Sequence, residues 1–300
     1  SGVCTRLLRL VESLESMGCE VTFVYVVLFR FQLDRVSLAP MRQRLGSRLV
    51  VFDPWDSLGA VGGWLSWIWT HLLARFARHP LRRLRAWMSR LNPGQEHNAL
   101  DGWYPAGLDR LLRSLGDDWQ AMIVVQVFLS RAFEAVAGSP LRLLDTIDLF
   151  TDRHLLLKRH GLSYSWYSLP EGEEIRGLNR ADRVLAISQP DRQWLAARLD
   201  RPVHLLEPIL APCPLPPPGW PATLLLVGSD NPHNRVGLQW FLAQVWPELQ
   251  RTCPGVRLWL AGPISNPPLN QAAITCHGLV DDLRPLYAQA WICLNPVLEG

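Results

Sequence analysis

Lysine and paired cysteines are the features that this 300-residue sequence has least of. Lys158 is the only lysine, so arginine supplies nearly all of the positive charge, which indicates the GC-rich codon usage of a bacterium. The six cysteines are scattered, without a C-x-x-C pair or a histidine at ligand spacing. This pattern argues against a disulfide framework and a zinc site, and reduced thiols in a cytosol are the simplest interpretation.

Long apolar runs and two common nucleotide-binding motifs are also missing. The longest apolar stretch, about residues 60–74, contains Ser66, Thr70 and His71 and is too short to span a bilayer. No secretion signal is visible, although the first residue is not Met. The patterns G-x-x-x-x-G-K and G-x-G-x-x-G do not occur, which weakens kinase and dehydrogenase interpretations. We therefore expect a cytoplasmic protein of another class.

The composition that is present favours a folded α/β protein. Hydrophobic residues make up 48% and charged residues 19% of the chain, and its length suffices for two domains. Apolar, β-branched runs alternate with segments of helical periodicity, which is typical of parallel sheets covered by helices. Within residues 1–208, strands are predicted at 20–27, 48–53, 121–128, 141–148, 182–188 and 203–208.

A proline-rich stretch divides the sequence. Residues 208–221 carry seven prolines in fourteen positions, which excludes a helix or a central strand and predicts an extended, stiff connector. Alternation then restarts, with strands predicted at 223–228, 256–262, 273–278 and 291–296 and helices at 234–251 and 282–290. The predicted organisation is an N-terminal domain over 1–208, a linker over 209–221 and a C-terminal domain over 222–300.

The turn after the first strand of the C-terminal domain is the strongest local signal. Gly228 allows a close backbone turn, Asp230 or Asn231 is suited to cap the following helix, and Pro232 fits its first turn. The start of a helix at the carboxyl end of parallel strands suits a diphosphate. An ordinary capped strand-to-helix turn is the alternative.

Longer stretches of the chain resemble glycosyltransferase family 4. In the C-terminal domain the resemblance is carried by VGSDNPHN, GLQWFLAQVWPELQRTCPGVRLWLAG and HGLVDDLRPLYAQAWICLNPVLEG, whose order and spacing match the family over 223–300. In the N-terminal domain it is carried by SGVCTRLLRLVESLESMGCEVTFVY, LLDTIDLFTDRH and EEIRGLNRADRVLAIS. Residues 30–140 show little resemblance, and acceptor specificity varies in that region of the family.

The resemblance implies a GT-B architecture, with two Rossmann-like domains facing each other across a cleft. It also implies a chain truncated at both ends, because the family has a strand before Ser1 and a glycine-rich loop and helix after Gly300. The implied activity is transfer of a sugar, of the hexosyl type, from a UDP- or GDP-linked donor to a glycan or lipid-linked acceptor. Retention, independence from metals and other cofactors, and a role in cell-envelope polysaccharide synthesis are also implied. The fragment alone is expected to be inactive.

The same resemblance assigns roles to individual residues. The residues expected at the donor diphosphate are Gly2, Arg6, Gly228, Ser229 and Asn234. The residues expected at the nucleobase are Gly278, Val280 and Asp281, and Glu299 is expected at the donor sugar.

Two aspartates, Asp145 and Asp148, lie at the end of the strand predicted over 141–148. A carboxylate at Asp148 is placed to orient the acceptor hydroxyl or to accept its proton, which makes it the catalytic candidate. The alternative is that Asp148 pairs with Arg153 and that Asp145 caps a turn. For Arg6 the alternative to a phosphate contact is an ordinary surface position.

A basic, tryptophan-rich segment spans residues 63–91. It contains six arginines and four tryptophans and no acidic residue. Such a mixture favours the interface of an anionic membrane, where lipid-linked acceptors reside, and predicts peripheral attachment. The alternative is that the tryptophans pack in the core while the arginines are solvated. No nucleic-acid-binding module accompanies the charge.

Two other functions remain open at this point. A sugar-nucleotide 2-epimerase shares the two-domain form, but it needs carboxylates and a histidine that converge on the sugar, and the sequence offers no such cluster. A glycosyltransferase-like partner that binds a sugar nucleotide or another enzyme without turnover is the second alternative.

Overall fold

The computed structural model describes residues 2–28, 38–54, 97–159, 161, 167–208, 222–269 and 271–297. The predicted linker over 209–221, the basic segment over 63–91 and Glu299 lie outside these residues. The chain divides into two compact units. We call Ser1–Arg153 with Trp166–Leu210 the N-terminal unit, and His154–Ser165 with Ala211–Gly300 the C-terminal unit.

The N-terminal unit begins with a helix and a pair of parallel strands. Helix α1 spans Gly2–Ser16, and Gly18 ends it with a positive φ of 85°, as its position in the sequence predicts. Strand β1 (Phe23–Val26) pairs in parallel with β2 (Leu49–Phe52), and helix α2 (Ala39–Leu45) lies between them in the sequence. Both strands fall within the predicted ones.

A four-stranded parallel sheet follows in the same unit, with the strand order β3-β4-β5-β6. Its strands are β3 (Ala121–Val125), β4 (Leu141–Asp145), β5 (Arg183–Ala186) and β6 (Val203–Leu205). The helices are α3 (Leu108–Ser114), α4 (Arg153–Arg159), whose residues from His154 onward belong to the C-terminal unit, α5 (Glu171–Leu178) and α6 (Gln189–Ala196).

Several predicted strands are too long at their carboxyl ends, and for β3 and β4 the backbone shows why. Strand β3 stops before Gln126, whose φ is +75°, and β4 stops shortly before Ile147, whose φ is +51°. A positive φ takes the backbone out of the extended region, so neither strand continues. The apolar residues after Gln126 form 3₁₀ turns over Val127–Glu134 instead of a strand.

The core of the N-terminal unit contains a cluster of aromatic rings under this sheet. Tyr167 is fully buried, and its ring centroid lies 4.8 Å from that of Trp103 and 5.3 Å from that of Phe150. The Tyr167 hydroxyl donates to the carbonyl oxygen of Leu100 at 2.5 Å, which satisfies its buried polar atom. Two of these rings, Phe150 and Tyr167, follow β4 in the sequence and are fully buried.

The C-terminal unit is a parallel sheet with helices on both faces. Its strand order is β10-β7-β8-β9, formed by β7 (Thr223–Val227), β8 (Arg257–Ala261), β9 (Ile274–Gly278) and β10 (Ile292–Leu294). Helices α7 (Pro232–Trp240) and α8 (Trp246–Thr252) precede β8, and α9 (Arg284–Gln289) precedes β10. The central strands are buried on both faces, which explains their uninterrupted apolar sequences.

The long helix predicted over 234–251 is interrupted. A single π-helical turn over Phe241–Val245 separates α7 from α8. Pro247 follows this turn, and a proline has no N–H to donate and its ring collides with the carbonyl four residues earlier. The wider π turn accommodates the proline without ending the helix.

Alternate residues of the C-terminal strands pack to opposite sides. Leu224 and Leu258 join one core cluster beneath α7 and α8, whereas Leu225 and Trp259 join another beneath α9. This two-sided packing is the Rossmann-like arrangement. The predicted fold class, α/β with parallel sheets, is confirmed. Among the described helices, none combines the length and the hydropathy that a membrane crossing requires.

Candidate functional site

Three glycines come together at the carboxyl edge of the C-terminal sheet. Gly228 follows β7, Gly262 follows β8 and Gly278 is the last residue of β9. The Gly228 N–H donates to the Ala261 carbonyl at 3.0 Å, and the Gly262 N–H donates to the Gly278 carbonyl at 2.6 Å. These bonds continue the hydrogen-bond ladder of the sheet beyond the strands, at three positions that carry no side chain.

Gly262 is the most constrained of the three. Its φ is +87°, and a Cβ built on it lies 2.5 Å from the carbonyl oxygen of Gly228. Only glycine fits this conformation and this approach. Gly228 itself does not have a positive φ, and a Cβ there lies 3.3 Å from both Asn234 Nδ2 and the side chain of Ile264. A side chain at either position therefore crowds the edge.

The helix that follows Gly228 is capped as the sequence predicts. The Asn231 side-chain oxygen accepts the backbone N–H of Asn234 at 2.8 Å, and Pro232 occupies the first turn of α7. Asn234 Nδ2 donates to the Ser229 carbonyl at 2.9 Å, and Asn231 Nδ2 donates to Ser229 Oγ at 3.0 Å. The turn from Ser229 to Asn234 is thus held by its own side chains, with the positive end of α7 at the sheet edge.

Arg235 ties this turn to the loop after β8. Its Nε donates to Asp230 Oδ1 at 2.6 Å, and its Nη1 donates to the Ile264 carbonyl at 3.0 Å. The same guanidinium also reaches the carbonyl of Asn266. The Ile264 N–H donates to the Gly228 carbonyl at 3.2 Å. Nothing in the sequence spacing links Arg235 to a loop 29 positions away in the chain, so this contact is not predictable from the sequence.

The residues predicted at the nucleobase lie just beyond β9. Gly278 has a φ of +69°, and its N–H donates to Ser265 Oγ at 3.1 Å. Val280 packs against the cluster formed by Leu225 and Trp259, whereas Asp281 is exposed. Ser265 is also missing from the sequence-based set, although it is buried and joins the ends of β8 and β9.

The carboxyl edge of the N-terminal sheet holds a buried ion pair. Arg6, from α1, donates through Nη2 to Asp145 Oδ1 at 3.0 Å and through Nε to Asp145 Oδ2 at 3.2 Å. Only 6% of the Arg6 side chain and none of Asp145 is exposed. Burial raises the pKa of Asp145, while the hydrogen bonds and charge of Arg6 oppose that rise. Because the guanidinium keeps its charge, it favours the carboxylate form.

This ion pair changes the interpretation of both residues. Asp145 accepts the Ile147 N–H, as expected of a turn cap, but its principal partner is Arg6. Arg6 does not lie on the surface, which was the alternative to a phosphate contact. Gly2, the other residue assigned to the diphosphate in this unit, is the first residue of α1.

The catalytic candidate lies next to the ion pair in the sequence but differs in environment. Asp148 is 43% exposed, and its carboxylate lies 3.4 Å from Arg153 Nη1. The pairing with Arg153 that the sequence offered as an alternative is therefore present. A role of Asp148 in proton transfer stays a prediction.

Comparison with known proteins connects the C-terminal site to one family. Residues 221–300 match the family model described as glycosyl transferases group 1. The predicted resemblance is thereby confirmed for this part of the chain, which contains all three edge glycines and the capped start of α7. No curated protein matches the sequence.

Among solved structures, the chain is similar to the pneumococcal O-GlcNAc transferase GtfA, crystallised with UDP and GlcNAc. The sequence identity is 11% and the TM-score is 0.42. The alignment covers 63% of this chain and 39% of that transferase, so it spans less than half of the relative's length.

Proposed function

We propose that the protein acts in glycosyl transfer and that its C-terminal unit binds a nucleotide-sugar donor, UDP- or GDP-linked. The observation that carries the proposal is the edge formed by Gly228, Gly262 and Gly278, beside the capped start of α7, in the segment that matches group 1 glycosyltransferases. Because the three edge positions carry no side chain, a diphosphate can approach the N–H groups at the start of α7 closely. A preorganised helix start also stabilises the charge that develops on a leaving diphosphate.

The contacts at the donor follow from this placement. Gly228, Ser229 and Asn234 face the diphosphate, and Val280 and Asp281 flank the nucleobase in the proposal. Arg235 positions the turn, since it joins Asp230 to the loop after β8. Glu299, outside the described residues, is retained for the donor sugar.

The proposed acceptor is a glycan or a lipid-linked sugar, held by the N-terminal unit. Retention, a hexosyl donor, independence from metals, a cytoplasmic location and a role in bacterial cell-envelope polysaccharide synthesis are parts of the same proposal, supported by the family resemblance. Asp148 is the proposed acceptor-side carboxylate. Arg6 is not included among the diphosphate ligands, because Asp145 already balances its charge.

Two substitutions of Asn231 test the donor site. Asn231→Ser keeps a capping oxygen without charge, whereas Asn231→Asp keeps the cap and adds a negative charge at the helix start. Both variants should unfold close to the wild-type temperature. In titrations with UDP and GDP followed by NMR, the backbone amides of 228–231 and 233–235 should shift in the wild type and in Asn231→Ser. The affinity of Asn231→Asp should fall by about tenfold or more through repulsion of the diphosphate.

The outcomes separate the candidate functions. The proposed donor site would be excluded if Asn231→Asp and the wild type bound nucleotide equally well. It would also be excluded if these amides responded in neither protein. Binding with no transfer to any tested glycan acceptor would favour the alternative of a non-catalytic partner.

A further inference from the structure

Two buried polar atoms at the carboxyl edge of the N-terminal sheet have no hydrogen-bond partner among the described residues. They are Arg6 Nη1, a donor, and Gln126 Oε1, an acceptor. The other two nitrogens of the Arg6 guanidinium bind Asp145, so the side chain is fixed while one end stays unsatisfied. Leaving a buried donor or acceptor without a partner is costly, and such atoms are rare in folded proteins.

The backbone at the same edge is strained. Gln126 follows β3 with a φ of +75°, and Ile147 follows β4 with a φ of +51°. Neither residue is a glycine, and Ile147 is β-branched, so both conformations are unfavourable. The Gln126 N–H donates to the Asp145 carbonyl at 2.9 Å, which holds Gln126 beside the residue that binds Arg6. Strain of this kind concentrates at ligand sites, and the carboxyl ends of parallel strands are where ligands bind.

The charges at this edge determine the class of ligand. Asp145 balances the charge of Arg6, so a second anion, such as a phosphate, gains little attraction there. The two atoms without a partner are a donor, Arg6 Nη1, and an acceptor, Gln126 Oε1, and both residues are joined to Asp145. A neutral hydroxyl both accepts and donates a hydrogen bond, whereas a phosphate or a carboxylate only accepts.

We infer that Arg6 and Gln126 form a hydroxyl-recognition site in the N-terminal unit and that it takes a hydroxyl of a neutral sugar. Its assignment to the acceptor sugar rests on the proposed glycosyl transfer. Asp145 is a positioning residue in this site, because it acts through Arg6. The donor contacts named under the proposed function belong to the C-terminal unit, whereas Arg6 and Gln126 belong to the N-terminal unit.

The test uses Gln126→Met, which removes the acceptor oxygen at similar volume, and Gln126→Glu, which keeps an acceptor oxygen. Methyl α-D-glucopyranoside is the neutral probe and inorganic pyrophosphate is the anionic one. In the wild type, the sugar should shift the NMR signals of the Arg6 guanidinium and the Gln126 side-chain amide, and pyrophosphate should not. Gln126→Met should lose about tenfold in sugar affinity, the value of one hydrogen bond. Gln126→Glu should stay within about threefold.

Several results would overturn the inference. If pyrophosphate moves the Arg6 signals and the sugar does not, the edge is an anion site. If neither probe moves them, or if Gln126→Met binds the sugar as the wild type does, these atoms do not recognise a hydroxyl. The wild-type titration decides the matter even if Gln126→Met fails to fold.

A UDP titration of the same samples separates this inference from the proposed function. If the sugar binds at Arg6 but UDP does not shift the backbone amide signals of 228–231 and 233–235, the hydroxyl-recognition site is supported and the donor site is excluded. UDP-induced shifts at these amides without sugar binding at Arg6 would support the donor site and exclude the hydroxyl-recognition site.

Discussion

At the scale of single residues, the glycines of the C-terminal unit differ in what excludes a side chain from each position. Gly262 has both a positive φ and a backbone oxygen where its Cβ would lie. Gly278 has a positive φ, but nothing lies within 4 Å of its Cβ position. Gly255, in a turn of the same unit, has neither constraint. These three positions separate conformational strain from steric exclusion.

Alanine at each position gives a graded prediction for the free energy of unfolding. Gly255→Ala should change it by less than about 0.5 kcal/mol, and Gly278→Ala should lower it by about 1 kcal/mol through strain alone. Gly262→Ala should lower it by about 3 kcal/mol or more, because strain and the collision with the Gly228 carbonyl add. Urea unfolding followed by circular dichroism measures all three, and equal effects at Gly262 and Gly278 would contradict the proposed close approach.

At the scale of elements, one buried carboxylate joins helix α5 to the turn after β4. Glu174 is fully buried; its carboxylate accepts the Phe150 N–H at 2.8 Å and the Thr151 hydroxyl at 2.6 Å. Burial raises the pKa of Glu174 above its ordinary value of 4.5, and these hydrogen bonds oppose the rise. The junction is therefore sensitive to pH.

The sign of that sensitivity follows from the direction of the shift. Above pH 4.5 the folded chain keeps the Glu174 proton longer than the unfolded chain does. The contribution of Glu174 to the free energy of unfolding therefore decreases as the pH rises through this window. Glu174→Gln cannot ionise, so its stability relative to the wild type should improve progressively between acidic and neutral pH. Urea unfolding at a series of pH values measures the difference.

Glu173→Gln is the matched control for this measurement. Glu173 lies in the same helix, but its carboxylate is on the surface and binds Arg176 at 2.5 Å. Its replacement should shift the unfolding curves by less than about 0.5 kcal/mol at every pH. Wild-type and Glu174→Gln stabilities that run parallel across the pH range would show that Glu174 does not titrate as a buried acid.

At the scale of the whole molecule, the arginine- and tryptophan-rich segment over 63–91 predicts attachment to an anionic membrane. Reversal of Arg82, Arg83 and Arg85 to Glu removes attraction of about 1 kcal/mol per basic residue and adds repulsion. Sedimentation with vesicles containing phosphatidylserine at low salt should fall sharply, while circular dichroism stays unchanged.

A second triple variant controls for net charge in this experiment. Arg110, Arg113 and Arg201 are exposed elsewhere in the N-terminal unit, and their reversal to Glu changes the net charge equally. Its sedimentation should stay closer to that of the wild type. Equal sedimentation of the wild type and the Arg82, Arg83 and Arg85 variant would exclude this segment as a membrane contact.

The sequence by itself determined the elements and the cap at the donor site. Strands β7 and β8 were predictable because central parallel strands are apolar on both faces. A cap at Asp230 or Asn231 was predictable because it acts within four residues of chain, and the structure selects Asn231. The family resemblance over 223–300 was readable because it rests on the order and spacing of such local features.

Only the tertiary structure decided which distant residues meet. The partners Arg6 and Asp145 are 139 positions apart, and Arg235 and Ile264 are 29 positions apart, so no periodicity predicts either contact. The end of β3 before Gln126 could not be predicted either. The apolar run continues past Gln126 in the sequence, whereas Gln126 has a positive φ in the fold. Local signals specify elements, whereas ion pairs, unsatisfied atoms and backbone strain arise when those elements pack against each other.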